Sequence, residues 1–229
     1  MVHGSGGGWD QGLDFAQTFV GNGYQVIAVS RFGYLRTPYP KDVSPEAQAD
    51  AHANLLTKLG IERAAILGAS AGGPSTMQFA IRHPEKCAAM ILLVPLAWKP
   101  ETAPSSAPKI SPWQQKILTT LVGSDFVFWA AIKLAPDVIL RKVLATPIED
   151  FNAASDSDKA RIMTMRDHIL PISRRIKGLM NDSVMGASLR RYDLDKITAP
   201  ALVMSVKNDL YGTYASAQYT AGQIPGAKF

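Results

Sequence analysis

Gly68-Ala69-Ser70-Ala71-Gly72 is the stretch of this sequence best equipped for chemistry. A serine hydroxyl is a weak nucleophile until its surroundings activate it. A G-x-S-x-G turn between a strand and a helix does part of that work: the glycines remove clashing side chains, and the strained turn lifts the hydroxyl above the sheet edge. The flanking residues predict that setting, with an apolar strand over 64–67 and a helical run over 76–81. The helix would aim its first N–H groups at the same spot. The chemistry such a serine serves is attack on a carbonyl, with an acyl or tetrahedral intermediate. With Gly and Ser each at roughly 7% of residues, the bare pentapeptide arises by chance in about one chain in ten of this length. The weight therefore falls on the elements that must position it.

Those elements alternate. Helical spacing at Leu13, Ala16, Phe19 and Val20 predicts a helix over 10–20, and 24–30 reads as a buried strand. Ser44-Pro45-Glu46 is a helix start, with Ser as N-cap and Pro at the first helical position, and Gly60 closes that helix. The strand before Ser70 follows, then a helix stopped by His83-Pro84 and a strand over 88–94. Strands alternating with helices predict an α/β fold whose parallel sheet is covered on both faces. After Trp98 the alternation stops. Residues 99–112, rich in Pro, Ser and Ala, read as a linker, and helices are expected over 113–122, 126–134, 136–144, 157–170 and 173–180. A strand returns at 201–206, followed by a helix over 213–222. An all-helical insertion between two strands predicts a cap over the sheet's carboxyl edge, where ligands bind in open parallel sheets. The expected division is a core of residues 1–97 and 196–229 with a cap of 98–195. Met1-Val2 and residues 224–229 each look like part of a strand, since strands usually run about five or six residues, so the sequence is expected to begin and end inside the sheet.

Composition narrows the functional classes. With 24 Lys plus Arg against 19 Asp plus Glu, the net charge of +5 is scattered, which gives nucleic-acid binding no support. No apolar run approaches the roughly 18 residues of a membrane span. The single cysteine, Cys87, rules out an internal disulfide and metal-binding cysteine pairs and is expected to be buried. Neither a cofactor nor a metal is expected, the partner is a small ester or acyl substrate, and the cytoplasm is the favoured location.

Taken in order, His3-Gly4-Ser5-Gly6-Gly7, the elbow at Ser70, the helical cap after the next strand and Asp209 after the strand beyond the cap resemble the α/β-hydrolase superfamily over nearly the whole chain. The resemblance implies roles for each. Ser70 is the nucleophile and Asp209 the acid that orients the base. The Ala71 N–H and the N–H of Ser5 or Gly6 form the oxyanion hole. It further implies hydrolysis of an ester or related acyl bond. The sequence GASAGG at 68–73 and the Gly-rich first loop are similar to the branch that includes carbon–carbon bond hydrolases of aromatic breakdown, and simple esterases share both. Trp9, Trp98, Phe128, Trp129 and Arg174 are candidate pocket residues, with packing as the alternative for the aromatics. Arg174 and Arg175 could bind a substrate carboxylate or be solvated. In this fold the base is a histidine after the acid, and no histidine follows Asp209. His3 is expected to brace the first loop, His52 to lie on the surface and His83 to cap its helix, while His168 could overhang the pocket. Two readings stay open: a hydrolase whose histidine lies beyond Phe229, or a noncatalytic ligand-binding scaffold. Cofactor-free peroxidase or acyl-transfer chemistry would use the same residues.

Overall fold

The structure, a computed structural model, describes residues 1–20, 22–98, 123–209 and 211–229. Three strands, β1 (Ala64–Ala69), β2 (Cys87–Leu93) and β3 (Ala201–Met204), pair in parallel in that order. Single parallel bridges extend the sheet on both sides, Val2 to Gly68 and to Val29, and Lys228 to Leu202. Because every strand runs the same way, the carboxyl ends at Ala69, Leu93 and Met204 share one edge. Helices α1 (Trp9–Val20), α2 (Pro45–Lys58) and α3 (Gly73–Arg82) come from the first part of the chain. Helices α4 (Asp125–Leu134), α5 (Pro136–Lys142), α6 (Ile148–Ala153), α7 (Asp156–Asp167) and α8 (Ile176–Ala187) lie between β2 and β3 in the sequence, where the cap is expected, and α9 (Tyr214–Gln223) succeeds β3.

Local chemistry sets the boundaries. The Ser44 hydroxyl accepts the Ala47 N–H at 3.2 Å and Pro45 opens α2, as its sequence predicts. Ser124 and Ser155 cap α4 and α7 in the same way. Two apolar clusters hold the layers. One gathers Phe79, Met90, Leu92 and Val203 between the sheet and its helices, together with Cys87 and with Leu194 and Ile197 from the chain re-entering the sheet. The other joins Phe128, Ile132, Ile139, Ile169 and Ile172 within the cap.

Four expectations need correction or completion. Residues 24–30 are only half-buried to exposed and contribute the single Val29 bridge rather than a full strand, because among the described residues no strand pairs along their outer edge. The helix expected over 173–180 begins as a tight turn at Ile172–Arg174 and continues to Ala187. The six-residue α6 is too short to show a helical period in sequence. His52, expected on the surface, is buried at 8% exposure, because its face of α2 lies on the sheet. The linker over 99–112 and the helix over 113–122 lie outside the described residues.

Candidate active site

Ser70 follows β1 directly with φ of +47°, the left-handed conformation that few non-glycine residues adopt. A short turn, Ser70–Gly72, then leads into α3. The turn is tight because Gly72 lies against the first strand: a Cβ there would stand 2.6 Å from the Val2 carbonyl oxygen and 2.8 Å from that of His3. Ser70 is half-exposed, and no described residue hydrogen-bonds its Oγ. The Ala71 N–H belongs to the first residues of a helical turn, whose N–H groups have no acceptor within the helix. The first loop closes over this point. A Cβ on Gly4 would come within 3.1 Å of the Ser70 Cβ, so the loop backbone abuts the serine.

That loop is held by a buried polar network. The Nδ1 of His3 donates to the Gly4 carbonyl at 2.7 Å, and its Nε2 accepts the Arg31 N–H at 2.9 Å. These bonds fix one neutral tautomer, and burial keeps the imidazole pKa well below its usual value. Arg31 reaches the carbonyls of His3 through Nε at 2.9 Å and of Gly4 through Nη2 at 3.3 Å. Its two terminal nitrogens form a two-pronged pair with Asp182 of α8, both at 2.7 Å. Burial opposes the Arg31 charge, and the Asp182 carboxylate more than offsets it, raising the guanidinium pKa. The same carboxylate accepts Tyr34 OH at 2.5 Å and Ser5 Oγ at 2.9 Å. Burial first, and the Asp182 charge second, push the Tyr34 phenol far above its usual pKa. Tyr34 OH in turn accepts the Gly6 N–H at 3.4 Å. One charge of each sign, fully hydrogen-bonded, makes this burial tolerable.

Asp209 stands just beyond β3, at the same sheet edge as Ser70. Its Oδ2 accepts the Thr213 N–H at 2.9 Å and the Thr213 hydroxyl at 2.5 Å, and Oδ1 accepts the Tyr211 N–H at 3.2 Å. None of the four histidines is hydrogen-bonded to Ser70 or Asp209. His3 braces the first loop; His83 pairs with Asp50 at 2.8 Å at the end of α3; His168 pairs with Asp14 of α1 at 2.7 Å; and the Nε2 of buried His52 has no partner among the described residues. His168 therefore ties the cap to α1 rather than overhanging the serine.

The expected pocket residues scatter. Phe128 is corrected from pocket wall to cap core, where it packs with Ile132, Ile139, Ile169 and Ile172. Trp129 is 47% exposed and stacks on the still more exposed Phe126 at 6.0 Å, and Trp9, 51% exposed, starts α1. Trp98 meets Tyr219 edge-on at 4.9 Å and lies under the Arg191 guanidinium. Arg174 is exposed, and its carbonyl accepts the Leu35 N–H at 2.7 Å. Arg175 is the buried arginine, and Asp10 already occupies it, with Nη2 to Oδ2 at 2.5 Å. Arg175 is thus not a free anchor for a substrate carboxylate, whereas the Arg174 side chain stays exposed. Sequence reasoning missed Asp182, Tyr34 and Arg31. One signal was there to find: Arg175, Gly178 and Asp182 stand at i, i+3 and i+7, a polar stripe on one face of a helix.

A parallel sheet with a serine at a left-handed strand-to-helix turn, a glycine-rich loop against it and an acid beyond a later strand defines the class of nucleophile-elbow α/β proteins. The chain belongs to the alpha/beta hydrolase fold family, whose profile matches residues 1–229. Over 100 residues it is 36% identical to 2-hydroxy-6-oxo-6-phenylhexa-2,4-dienoate hydrolase of Comamonas testosteroni, covering 42% of this chain and 35% of that enzyme. It is 32% identical over 97 residues to a 2-hydroxy-6-oxononadienedioate/2-hydroxy-6-oxononatrienedioate hydrolase of a Pseudomonas species, covering 41% and 34% respectively. The chain thus matches about a third of the length of these curated relatives. Among solved structures, an alpha/beta hydrolase fold protein from Nakamurella multipartita superposes with a TM-score of 0.78 at 27% identity, over 99% of this chain and 80% of that one. None of the helices among the described residues is long and apolar enough to cross a membrane.

Proposed function

We propose that the protein is a serine-nucleophile hydrolase of an ester or related acyl bond in a small molecule. Residues 1–97 and 196–229 form the core that carries the site, and residues 98–195 the cap that covers it. The observation that carries the reading is the strained Ser70, at φ of +47°, with the Gly4 backbone against its Cβ. In this reading Ser70 Oγ attacks the carbonyl carbon and passes its proton to a base. The carbonyl oxygen becomes an oxyanion held by the Ala71 N–H and an N–H of the first loop. The intermediate collapses to an acyl-serine as the alcohol leaves with the proton from the base. Water, giving a proton to the same base, then attacks the acyl carbon to release the acid and restore Ser70. Asp209, with three donors fixing its carboxylate, is the group that would orient the base. The printed activities of the two curated relatives favour a second reading of the same site, cleavage of the carbon–carbon bond of a vinylogous diketone.

No histidine of residues 1–229 bonds to Asp209, so the test supplies one. Hydrolysis of p-nitrophenyl acetate is followed with and without added imidazole, for the parent and for Ser70→Ala. A Ser–Asp site without its histidine keeps roughly 10³ to 10⁴ over water from the oxyanion hole and binding alone. We expect a small Ser70-dependent rate that rises with imidazole and saturates. The same assay with 2-hydroxy-6-oxo-6-phenylhexa-2,4-dienoate separates carbon–carbon from ester cleavage. Equal rates for parent and Ser70→Ala at every imidazole concentration would overturn the hydrolase reading and leave a ligand-binding scaffold.

A further inference from the structure

Asp182 belongs to the cap, 177 residues from Ser5 along the chain, yet its carboxylate is the hub of the bonds that shape the first loop. Of the polar groups on that loop, the His3 carbonyl is held by Arg31, the Gly4 carbonyl by Arg31 and His3, and the Gly4 N–H by Gln11 at 2.9 Å. Ser5 Oγ is held by Asp182 itself and the Gly6 N–H by Tyr34. The Ser5 N–H is left without an acceptor among the described residues. Gly6 has φ of +74°, and a glycine also populates the opposite sign readily, so the peptide unit between Ser5 and Gly6 can flip unless something fixes it. Asp182 fixes it from both sides, at the Ser5 hydroxyl and, through Tyr34, at the Gly6 N–H.

We propose that Asp182 is a positioning residue for the oxyanion hole: it holds the first loop so that the Ser5 N–H, and not that of Gly6, is presented beside Ser70. The inference rests on the reading of Ser70 as nucleophile for its catalytic consequence, but not for its structural content. Charge and position predict opposite effects, which makes the role testable. Asp182→Asn removes a negative charge near a developing oxyanion and leaves Arg31 positive, so by charge alone the reaction should speed up. Loss of position should slow it.

Two variants are compared with the parent, Asp182→Asn and the milder Ser5→Ala, which keeps the backbone N–H and the Arg31–Asp182 pair and so avoids an unpaired buried charge. The first measurement is ¹⁵N relaxation of the Gly6 amide, which belongs to the peptide unit between Ser5 and Gly6, and of the Ser5 amide on the unit before it. We expect an order parameter near about 0.85 in the parent, falling towards about 0.6 in Asp182→Asn, with a smaller fall in Ser5→Ala. The second is imidazole-supported hydrolysis of p-nitrophenyl acetate. Loss of one oxyanion donor costs about 10² to 10³ in kcat. On that scale Asp182→Asn should lose about 10²-fold and Ser5→Ala about tenfold in kcat, with KM within about threefold. Unchanged Ser5 and Gly6 amides in both variants overturn the proposal whatever the rates. So does a loosened amide with kcat unchanged or raised while turnover remains Ser70-dependent. If the parent itself shows no Ser70-dependent turnover, the hydrolase reading fails, and the amide measurement alone upholds or overturns the control of the loop by Asp182.

Discussion

Ser70 adopts a backbone conformation that a glycine would take at little cost. A non-glycine residue held at positive φ costs of order 1 kcal/mol or more, and such strain gathers at sites where a side chain must be aimed. Ser70→Gly should therefore be more stable than Ser70→Ala by about 1 kcal/mol in urea unfolding, although both lose the nucleophile. Equal midpoints and slopes for the two would show that the turn is not strained. The other polar residues around the site are the reverse case, individually unfavourable in the interior and acceptable only together. Arg31 and Asp182 are both 5% exposed, and each satisfies what the other would leave bare. Breaking such a pair by removing one partner typically costs about 3–5 kcal/mol, which is why the mild Ser5→Ala variant is the more discriminating one.

Helix α8 shows how an element can be shaped by what it must touch. Gly178 lies in its first turn, where by propensity alone alanine would still favour the helix over glycine. A Cβ there would stand 2.1 Å from the Tyr34 ring, and the Gly178 N–H donates to the Gly33 carbonyl at 3.1 Å. Close packing reverses the sign. Gly178→Ala should destabilise the protein by about 1–3 kcal/mol in urea, as overpacked cores do, and should displace Tyr34 from Asp182. A stabilised variant would show that Tyr34 can move aside freely. The same element marks the limit of what was legible in the sequence. The elbow, its flanking β1 and α3, and the helical insertion were readable because apolar runs, caps and glycines are local signals. Ser70 could be singled out on that basis, and Ala71 and Asp209 through the resemblance to the α/β-hydrolase superfamily. The clamp was not, because a contact across 177 residues leaves no local pattern beyond an Asp on the same helical stripe as a Gly. The aromatics misled for a related reason: Phe128 and Trp129 are neighbours on α4, and sequence cannot say that one faces the cap core and the other solvent. Residues 24–30 had the composition of a strand, but strand order also needs a partner.

At the scale of the molecule, the helices between β2 and β3 are joined to the rest by polar side-chain bonds as well as by packing. Asp10 pairs with Arg175, Asp14 with His168 and Arg31 with Asp182, while the Leu35 N–H reaches the Arg174 carbonyl. These helices are expected to unfold together with the sheet. Acid should weaken the whole. Burial lowers the His3 pKa well below the usual value and that of His52 to about 3, so both are neutral in the folded protein down to those values. The unfolded chain binds their protons below about pH 6.5. Stability is thus retained above that pH and falls as pH drops through it, by up to about 1.4 kcal/mol per pH unit for each histidine. Between pH 7 and 5 His52 should remove up to about 2 kcal/mol, with a further loss in the same direction from His3, measured by urea unfolding. His52→Leu should remove about half of that dependence. A flat profile would show that neither imidazole is held neutral.

Ser5 is also made long before Asp182. The ribosome adds about 5–20 residues per second, so the 177 residues that separate the two take roughly 10 to 35 seconds to make. For that interval the glycine-rich loop and the serine elbow exist without the carboxylate that orders them. On the nascent chain Ser70 and the first loop are made long before α8, and Asp209 follows α8 and β3, so these groups can come together only once the later part of the chain has emerged.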